Sequence, residues 1–102
     1  MSDSLLPTQH SLGELLRKQI LHLVETVGTL FPEECKKLQD IATTVLQCDK
    51  FSDVPRLRLK LIELERLRAQ VTKSSQFQDV VTECIQYAST LQKSLRKEMR
   101  TT

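Results

Sequence analysis

The stretch QFQDVVTECIQYASTLQKSLRKEM, residues 76–99, decides the fold. Its apolar residues recur at intervals of 4, 3, 4, 3, 4 and 4, which places them on one face of an α-helix. They are Phe77, Val81, Cys84, Ala88, Leu91, Leu95 and Met99. The opposite face is polar throughout, with Asp79, Glu83, Gln86, Lys93 and Lys97. We therefore predict an amphipathic helix over about 76–99, with Ser75 and Gln78 as its capping box.

The first helix is predicted over about residues 12–28. Ser11 followed by Glu14 has the spacing of a capping box, and Gly28 is a natural terminator because glycine tolerates a left-handed cap. One apolar face is formed by Leu12, Leu16, Ile20, Leu23 and Val27. Residues 1–10 lack periodicity, and we expect them to form a flexible N-terminal arm.

Two further helices are predicted over about 32–48 and 55–73. Each has a proline, Pro32 or Pro55, at its start, where the missing amide hydrogen costs nothing. Glu33 and Glu34 suit the positive end of the second helix dipole. Ser52 or Asp53 is expected to cap the third helix.

These elements predict an all-α fold, an antiparallel up-down-up-down four-helix bundle in which residues 11–102 form one domain. The chain has 102 residues, enough for one core, and only 2 glycines and 3 prolines, too few for the turns of a β-sandwich. Short connections favour antiparallel neighbours. Because residues 73–75 contain no glycine or proline, an alternative is that helices 3 and 4 merge into one rod that pairs with another chain, as in a coiled coil.

Several classes of protein do not fit the composition. The sequence has no apolar run long enough to span a membrane, and its first residues lack the basic start and apolar stretch of a secretory signal. Cys35, Cys48 and Cys84 form no Cys-x-x-Cys pair. We interpret them as small buried hydrophobes of an intracellular protein, cytoplasmic or nuclear. The apolar face of helix 4 still continues at Met99, which is compatible with a domain cut from a longer protein.

An enzyme is not expected. The two histidines, His10 and His22, have no partner at catalytic or metal-ligand spacing, and Gly13 and Gly28 are isolated, so no phosphate-binding loop is present. Adjacent Glu33 and Glu34 point about 100° apart on a helix and do not form an acid–base pair. We expect no catalytic residue, no cofactor, no metal and no small-molecule substrate.

Helix 3 carries the most informative pattern, because it is apolar on two sides. One arc comprises Leu57, Leu61, Leu64, Leu67 and Val71. The opposite arc comprises Leu59, Ile62 and Ala69, flanked by Arg58, Glu65 and Arg66. A helix with two apolar sides needs neighbours on two sides. Either the second arc packs under a loop or under Leu5 and Leu6 of the arm, or it binds a partner.

The charge distribution points to the same part of the chain. Residues 55–102 carry 10 Lys/Arg against 5 Asp/Glu, whereas residues 1–54 carry 5 against 8. We predict a protein–protein interaction module, an adaptor or a subunit of a larger complex, that binds another protein or a second copy through helices 3 and 4. The predicted contact residues are Arg56, Arg58, Leu59, Lys60, Ile62 and Arg66. The alternative is an RNA- or DNA-binding domain that uses the Arg and Lys side chains of these helices, although acidic residues interrupt them and aromatic residues are few.

Overall fold

The computed structural model describes the backbone of residues 5–101 and the side chains of residues 11–97. Four α-helices follow one another: α1 (Leu5–Val27), α2 (Pro32–Gln47), α3 (Val54–Gln70) and α4 (Ser75–Thr101). A single 3₁₀ turn, Phe51–Asp53, precedes α3. No strand occurs in residues 5–101, so the predicted all-α class is confirmed.

α1 begins earlier than the sequence pattern indicates. Its first residue is Leu5, so Ser11 lies inside the helix and the predicted capping box of Ser11 and Glu14 is wrong. Residues 1–4 lie outside the described residues, as do the side chains of Leu5, Leu6, His10, Met99 and Arg100. The flexibility of residues 1–10 and the domain boundary at residue 11 stay predictions.

The α1–α2 connection is a four-residue turn, residues 28–31. Gly28 N donates to Val24 O at 2.9 Å, and the amides of Leu30 and Phe31 both donate to Val27 O at 3.0 Å. Gly28 has no positive φ, so the predicted left-handed cap is wrong. Glycine is nevertheless required, because a Cβ here would collide with the backbone carbonyl oxygen of Val24.

α2 ends one residue before the predicted end at 48, and α3 begins one residue before the predicted start at 55. Pro32 and Pro55 lie in the first turns of α2 and α3. Asp53 stands at the N-cap of α3, but its carboxylate does not cap that helix. It instead accepts the amides of Asp49 and Lys50, at 3.1 and 3.2 Å, and so closes the turn that precedes α3.

A four-residue break, residues 71–74, separates α3 from α4. α3 ends at Gln70, three residues before the predicted end, and the merged-rod alternative is wrong. Ser74 Oγ accepts the amide of Phe77 at 3.1 Å and caps α4, so the predicted capping box at Ser75 is displaced by one residue. Gln78 Nε2 donates to Arg68 O at 3.3 Å, which satisfies a carbonyl in the last turn of α3.

One hydrophobic core joins the four helices. The side chains with no exposed surface or almost none include Leu23, Leu38, Val45, Leu57, Leu64, Phe77, Val81 and Cys84. The predicted α4 face is confirmed from Phe77 to Leu95, except that Leu91 is only partly buried, and the side chain of Met99 lies outside the described residues. In α1, Leu16, Ile20 and Leu23 are buried as predicted, but Leu12 is 49% exposed and its predicted burial is wrong. No polar or charged residue is buried within the described side chains.

The helices are adjacent in a ring. α1 contacts α2 and α4, and α3 also contacts α2 and α4. α2 and α4 touch across the ring, whereas α1 and α3 are not neighbours in the described part of the chain. Among the described residues, no helix is long and apolar enough to cross a membrane.

We expect Phe77→Ala to destabilise the fold by about 3–5 kcal/mol. Phe77 has no exposed surface and its ring lies 6.4 Å from that of Phe31, so truncation opens a cavity between α4 and the α1–α2 turn. Urea unfolding followed by circular dichroism measures the change. Phe51→Ala is the control because Phe51 is 45% exposed, and its loss should cost less than about 1 kcal/mol. Equal costs for the two variants would contradict this assignment of the core.

We expect Gly28→Ala to lower the free energy of unfolding by more than about 1 kcal/mol, because the added Cβ meets backbone rather than a movable side chain. Thr29→Ala, at the exposed neighbouring position, should have little effect. Urea unfolding of both variants tests the expectation, and a stabilised Gly28→Ala protein would contradict it.

Candidate functional site

α3 exposes large apolar side chains on the side away from the core. Leu57, Leu64 and Leu67 are buried, whereas Leu59 is 61% exposed and Ile62 is 44% exposed. Of the four helices, α3 shows the weakest separation of apolar from polar residues. Its sequence therefore completes the core and leaves two apolar side chains without cover.

Arginines surround the two exposed apolar residues. Leu59 and Ile62 are neighbours at a spacing of three residues, and residues three or four apart lie side by side on a helix. Arg56 lies three residues before Leu59, while Arg58 and Arg66 lie four residues before and after Ile62. All five side chains are exposed. We call these five residues, Arg56, Arg58, Leu59, Ile62 and Arg66, the outer α3 patch.

Lys60, the sixth predicted contact residue, lies apart from the patch. Its Nζ is 2.9 Å from Glu63 Oε2, and its side chain is 26% exposed. At about 100° per residue it points about 100° away from Leu59 and about 160° away from Ile62. The structure thus brings five of the six predicted residues together and places Lys60 on the flank.

The remaining basic residues do not extend the patch into one continuous stripe. Arg68 Nη1 donates to Thr82 Oγ1 of α4 at 3.3 Å, which holds this arginine against the neighbouring helix. Glu63 and Glu65 are exposed on α3 itself. Lys93, Arg96 and Lys97 are exposed on α4. The charge of α3 is therefore mixed.

No described loop covers the patch. Leu59 and Ile62 keep large exposed fractions in the folded chain, so packing under a loop is wrong for the described residues. Packing under Leu5 and Leu6 of the arm stays a prediction, because those side chains lie outside the described residues. Leu21 is 56% exposed but belongs to α1, which is not adjacent to α3. It instead borders a shallow depression between α1 and α2.

A second apolar surface, not found from the sequence, lies between α1 and α4. A groove of about 380 Å³ is bordered by Leu12, Leu15 and Leu16 of α1 and by Tyr87 and Leu91 of α4. Leu12 and Leu15 are 49% and 52% exposed. α1 and α4 have 23 and 27 residues, against 16 and 17 in α2 and α3, but the sequence did not signal the length of α1, because its predicted start was residue 12. Longer helices have faces that their shorter neighbours cannot cover.

The three cysteine thiols are buried, and the pKa of each is raised. Burial raises the pKa of Cys84 to about 12, because a thiolate would be desolvated in the core. Burial also raises the pKa of Cys35 and Cys48, with neighbouring carboxylates acting in the same direction. Within the described residues, no group of three or more His, Cys, Asp or Glu side chains is arranged to hold a metal ion.

Comparisons of this chain with protein-family models, with curated proteins and with solved structures find no match.

We expect the free energy of unfolding to fall as the pH rises above about 9. The folded-state pKa of Cys84 is raised from 9.0 to about 12, so its stabilising contribution is complete below pH 9 and is lost as the pH approaches 12. The slope from this one thiol is at most about 1.4 kcal/mol per pH unit. Urea unfolding between pH 7.5 and 10.5 measures it, and Cys84→Ala should show a shallower slope. An unchanged slope in Cys84→Ala would contradict the assignment.

Proposed function

We propose that this protein is a non-catalytic interaction module, an intracellular adaptor or a subunit of a larger complex, that binds a protein partner through the outer α3 patch. The observation that carries the proposal is the exposure of Leu59 and Ile62 beside the exposed arginines of the outer α3 patch. An apolar centre with arginine around it is the composition favoured at protein interfaces.

The energetics support a partner that covers both apolar residues. Full burial of a leucine or isoleucine side chain contributes about 1.5–3 kcal/mol, and here a large part of each remains to be covered. Two such residues alone give weak binding after the loss of translational and rotational freedom. The arginines then add orientation and selectivity for partners with carboxylates at matching positions.

We also propose the antiparallel up-down-up-down order for the bundle that holds the patch. The ring of neighbours α1–α2–α3–α4 is the order that this topology produces. Gln76 Nε2 at the start of α4 donates to Thr26 Oγ1 near the end of α1 at 3.0 Å, and Gln78 links the start of α4 to the end of α3. Such a bundle presents α3 as a preformed surface, so little backbone ordering opposes binding.

Nucleic-acid binding has less support, because Glu63 and Glu65 place negative charge on the same helix and Arg68 is hydrogen-bonded to Thr82. The second measurement below distinguishes it from protein binding.

We expect Leu59→Asp and Ile62→Asp each to weaken partner binding at least about tenfold, because an aspartate in a covered apolar centre loses its hydration without a partner. Immobilised wild-type protein and each variant are exposed to the same cell extract, and retained proteins are quantified by mass spectrometry. Leu30→Asp is the matched control, since Leu30 is 71% exposed but lies in the α1–α2 turn. The partner should be retained by wild type and Leu30→Asp and lost with the two patch variants.

A retained set that is identical for all four proteins, with a wild-type protein that does not self-associate either, would contradict the proposal. Fluorescence anisotropy with a labelled single-stranded RNA and a DNA duplex separates the alternative. Strongly salt-dependent binding that Leu59→Asp leaves intact and Arg58→Glu with Arg66→Glu abolishes would favour nucleic acid.

A further inference from the structure

We propose that the protein that binds the outer α3 patch is a second copy of this chain, with the two α3 helices packed antiparallel about a twofold axis that passes between Lys60 and Leu61. This inference rests on the proposed function, since it uses the same patch. It names the partner, and it follows from the order of apolar, basic and acidic residues along α3.

The apolar centre of the patch is self-complementary. Leu59 and Ile62 lie at equal distances on either side of the point between Lys60 and Leu61. In an antiparallel pair centred there, Leu59 of one copy faces Ile62 of the other, and the reverse contact occurs across the axis. Each copy therefore covers the two exposed apolar side chains of the other, as expected at an isologous interface.

The charges on both flanks of this centre are also self-complementary. Arg56 and Arg58 lie in the N-terminal half of α3, and Glu63 and Glu65 lie in the C-terminal half. We call the line through Leu59 and Ile62 the seam. At 100° per residue, Arg56 and Glu63 lie on one flank of this seam, about 70–90° from its middle. Arg58 and Glu65 lie on the other flank at the same angles. Each flank thus carries a positive charge toward the N-terminal end of α3 and a negative charge toward its C-terminal end.

In an antiparallel pair related by a twofold axis, each flank of one copy lies beside the same flank of the second copy. Arg56 then lies beside Glu63 of the second copy, and Arg58 beside its Glu65, each offset by two residues, or about 3 Å along the axis. Symmetry doubles these contacts to four ion pairs. The existing Lys60–Glu63 contact uses only Oε2, so the second carboxylate oxygen of Glu63 remains available to an arginine.

Opposite the two ends of the seam, Arg66 of one copy faces Pro55 of the other. The arginine stem covers the proline ring and its guanidinium reaches solvent. None of the four flanking side chains is buried in the monomer, so the pair forms without unfolding any part of the chain.

The dimer should be weak and dependent on concentration. A pair of single helices, each about 25 Å long, is small beside the roughly 1,600 Å² of a standard stable interface. We expect a dissociation constant on the order of 100 µM, so that the monomer dominates in dilute solution.

The experiment is sedimentation equilibrium of the whole chain at about 10, 100 and 500 µM, since mass action raises the dimer fraction with concentration. The apparent mass should rise from 11.7 kDa toward twice that value. Leu59→Asp should remain monomeric, and Leu30→Asp should match wild type. The double variants Arg56→Glu/Arg58→Glu and Glu63→Arg/Glu65→Arg should each raise the dissociation constant at least about tenfold, because every altered pair occurs twice.

The decisive measurement combines the two double variants. The quadruple variant, with all four charges reversed, restores every ion pair and should dimerise within about threefold of wild type. An equimolar mixture of the two double variants should form a heterodimer, which keeps the test valid should the quadruple variant fold poorly by circular dichroism.

Three results would overturn the inference: a monomeric wild type at every concentration, a dimer that survives Leu59→Asp, or charge reversals that are not rescued either in the quadruple variant or in the mixture. A monomeric wild type whose binding to a different protein is still lost with Leu59→Asp would overturn only the second copy as partner, and the proposed function would stand.

Discussion

The fold depends on the break at residues 71–74, where the chain stops following α3 and returns along it as α4. Two hydrogen bonds secure the reversal: Ser74 Oγ accepts the amide of Phe77 in the first turn of α4, and Gln78 Nε2 donates to a carbonyl in the last turn of α3. Because one free amide of α4 and one free carbonyl of α3 find partners at the reversal itself, α3 and α4 can lie against each other and bury Leu64, Leu67, Phe77 and Val81. Without the break, the same apolar residues would have to be covered by another chain.

The core constrains α3 on one side only. Leu57, Leu64 and Leu67 leave no freedom to rotate the helix, because turning it to cover Leu59 would expose three fully packed leucines. The exposure of Leu59 and Ile62 therefore follows from the helical repeat, because the burial of the three leucines fixes the rotation of α3 about its axis. The arginines around them keep this patch hydrated in the monomer and reduce indiscriminate apolar association.

Periodicity was sufficient for the number of helices and for the two sides of α3, but not for the start of α1. The α4 face was predicted correctly from Phe77 to Leu95, with only Leu91 less buried than expected, because its spacing follows one helix face over about five turns, and Pro32 fixed the start of α2. Features that depend on tertiary contacts were missed. Leu12 fits the apolar stripe of α1, yet it is half exposed because it borders the groove with α4 and no helix covers that side. Ser74 and Ser75 are equivalent in sequence, and only the position of the reversal selects Ser74 as the cap. The outer α3 patch was predictable as an arc, but its exposure required knowing that no connection crosses it.

The buried cysteines are natural probes of local opening in this protein. Cys35 lies at the start of α2, Cys48 follows its end, and Cys84 lies at the middle of α4 with no exposed surface. A thiol reagent reaches each of them only when its surroundings open, so the modification rate at each position reports the opening of that part of the structure. Equal rates at the three positions would describe a bundle that opens as a single unit. Faster modification at Cys35 and Cys48 would describe one in which α2 detaches while α4 remains packed, without any label having been introduced.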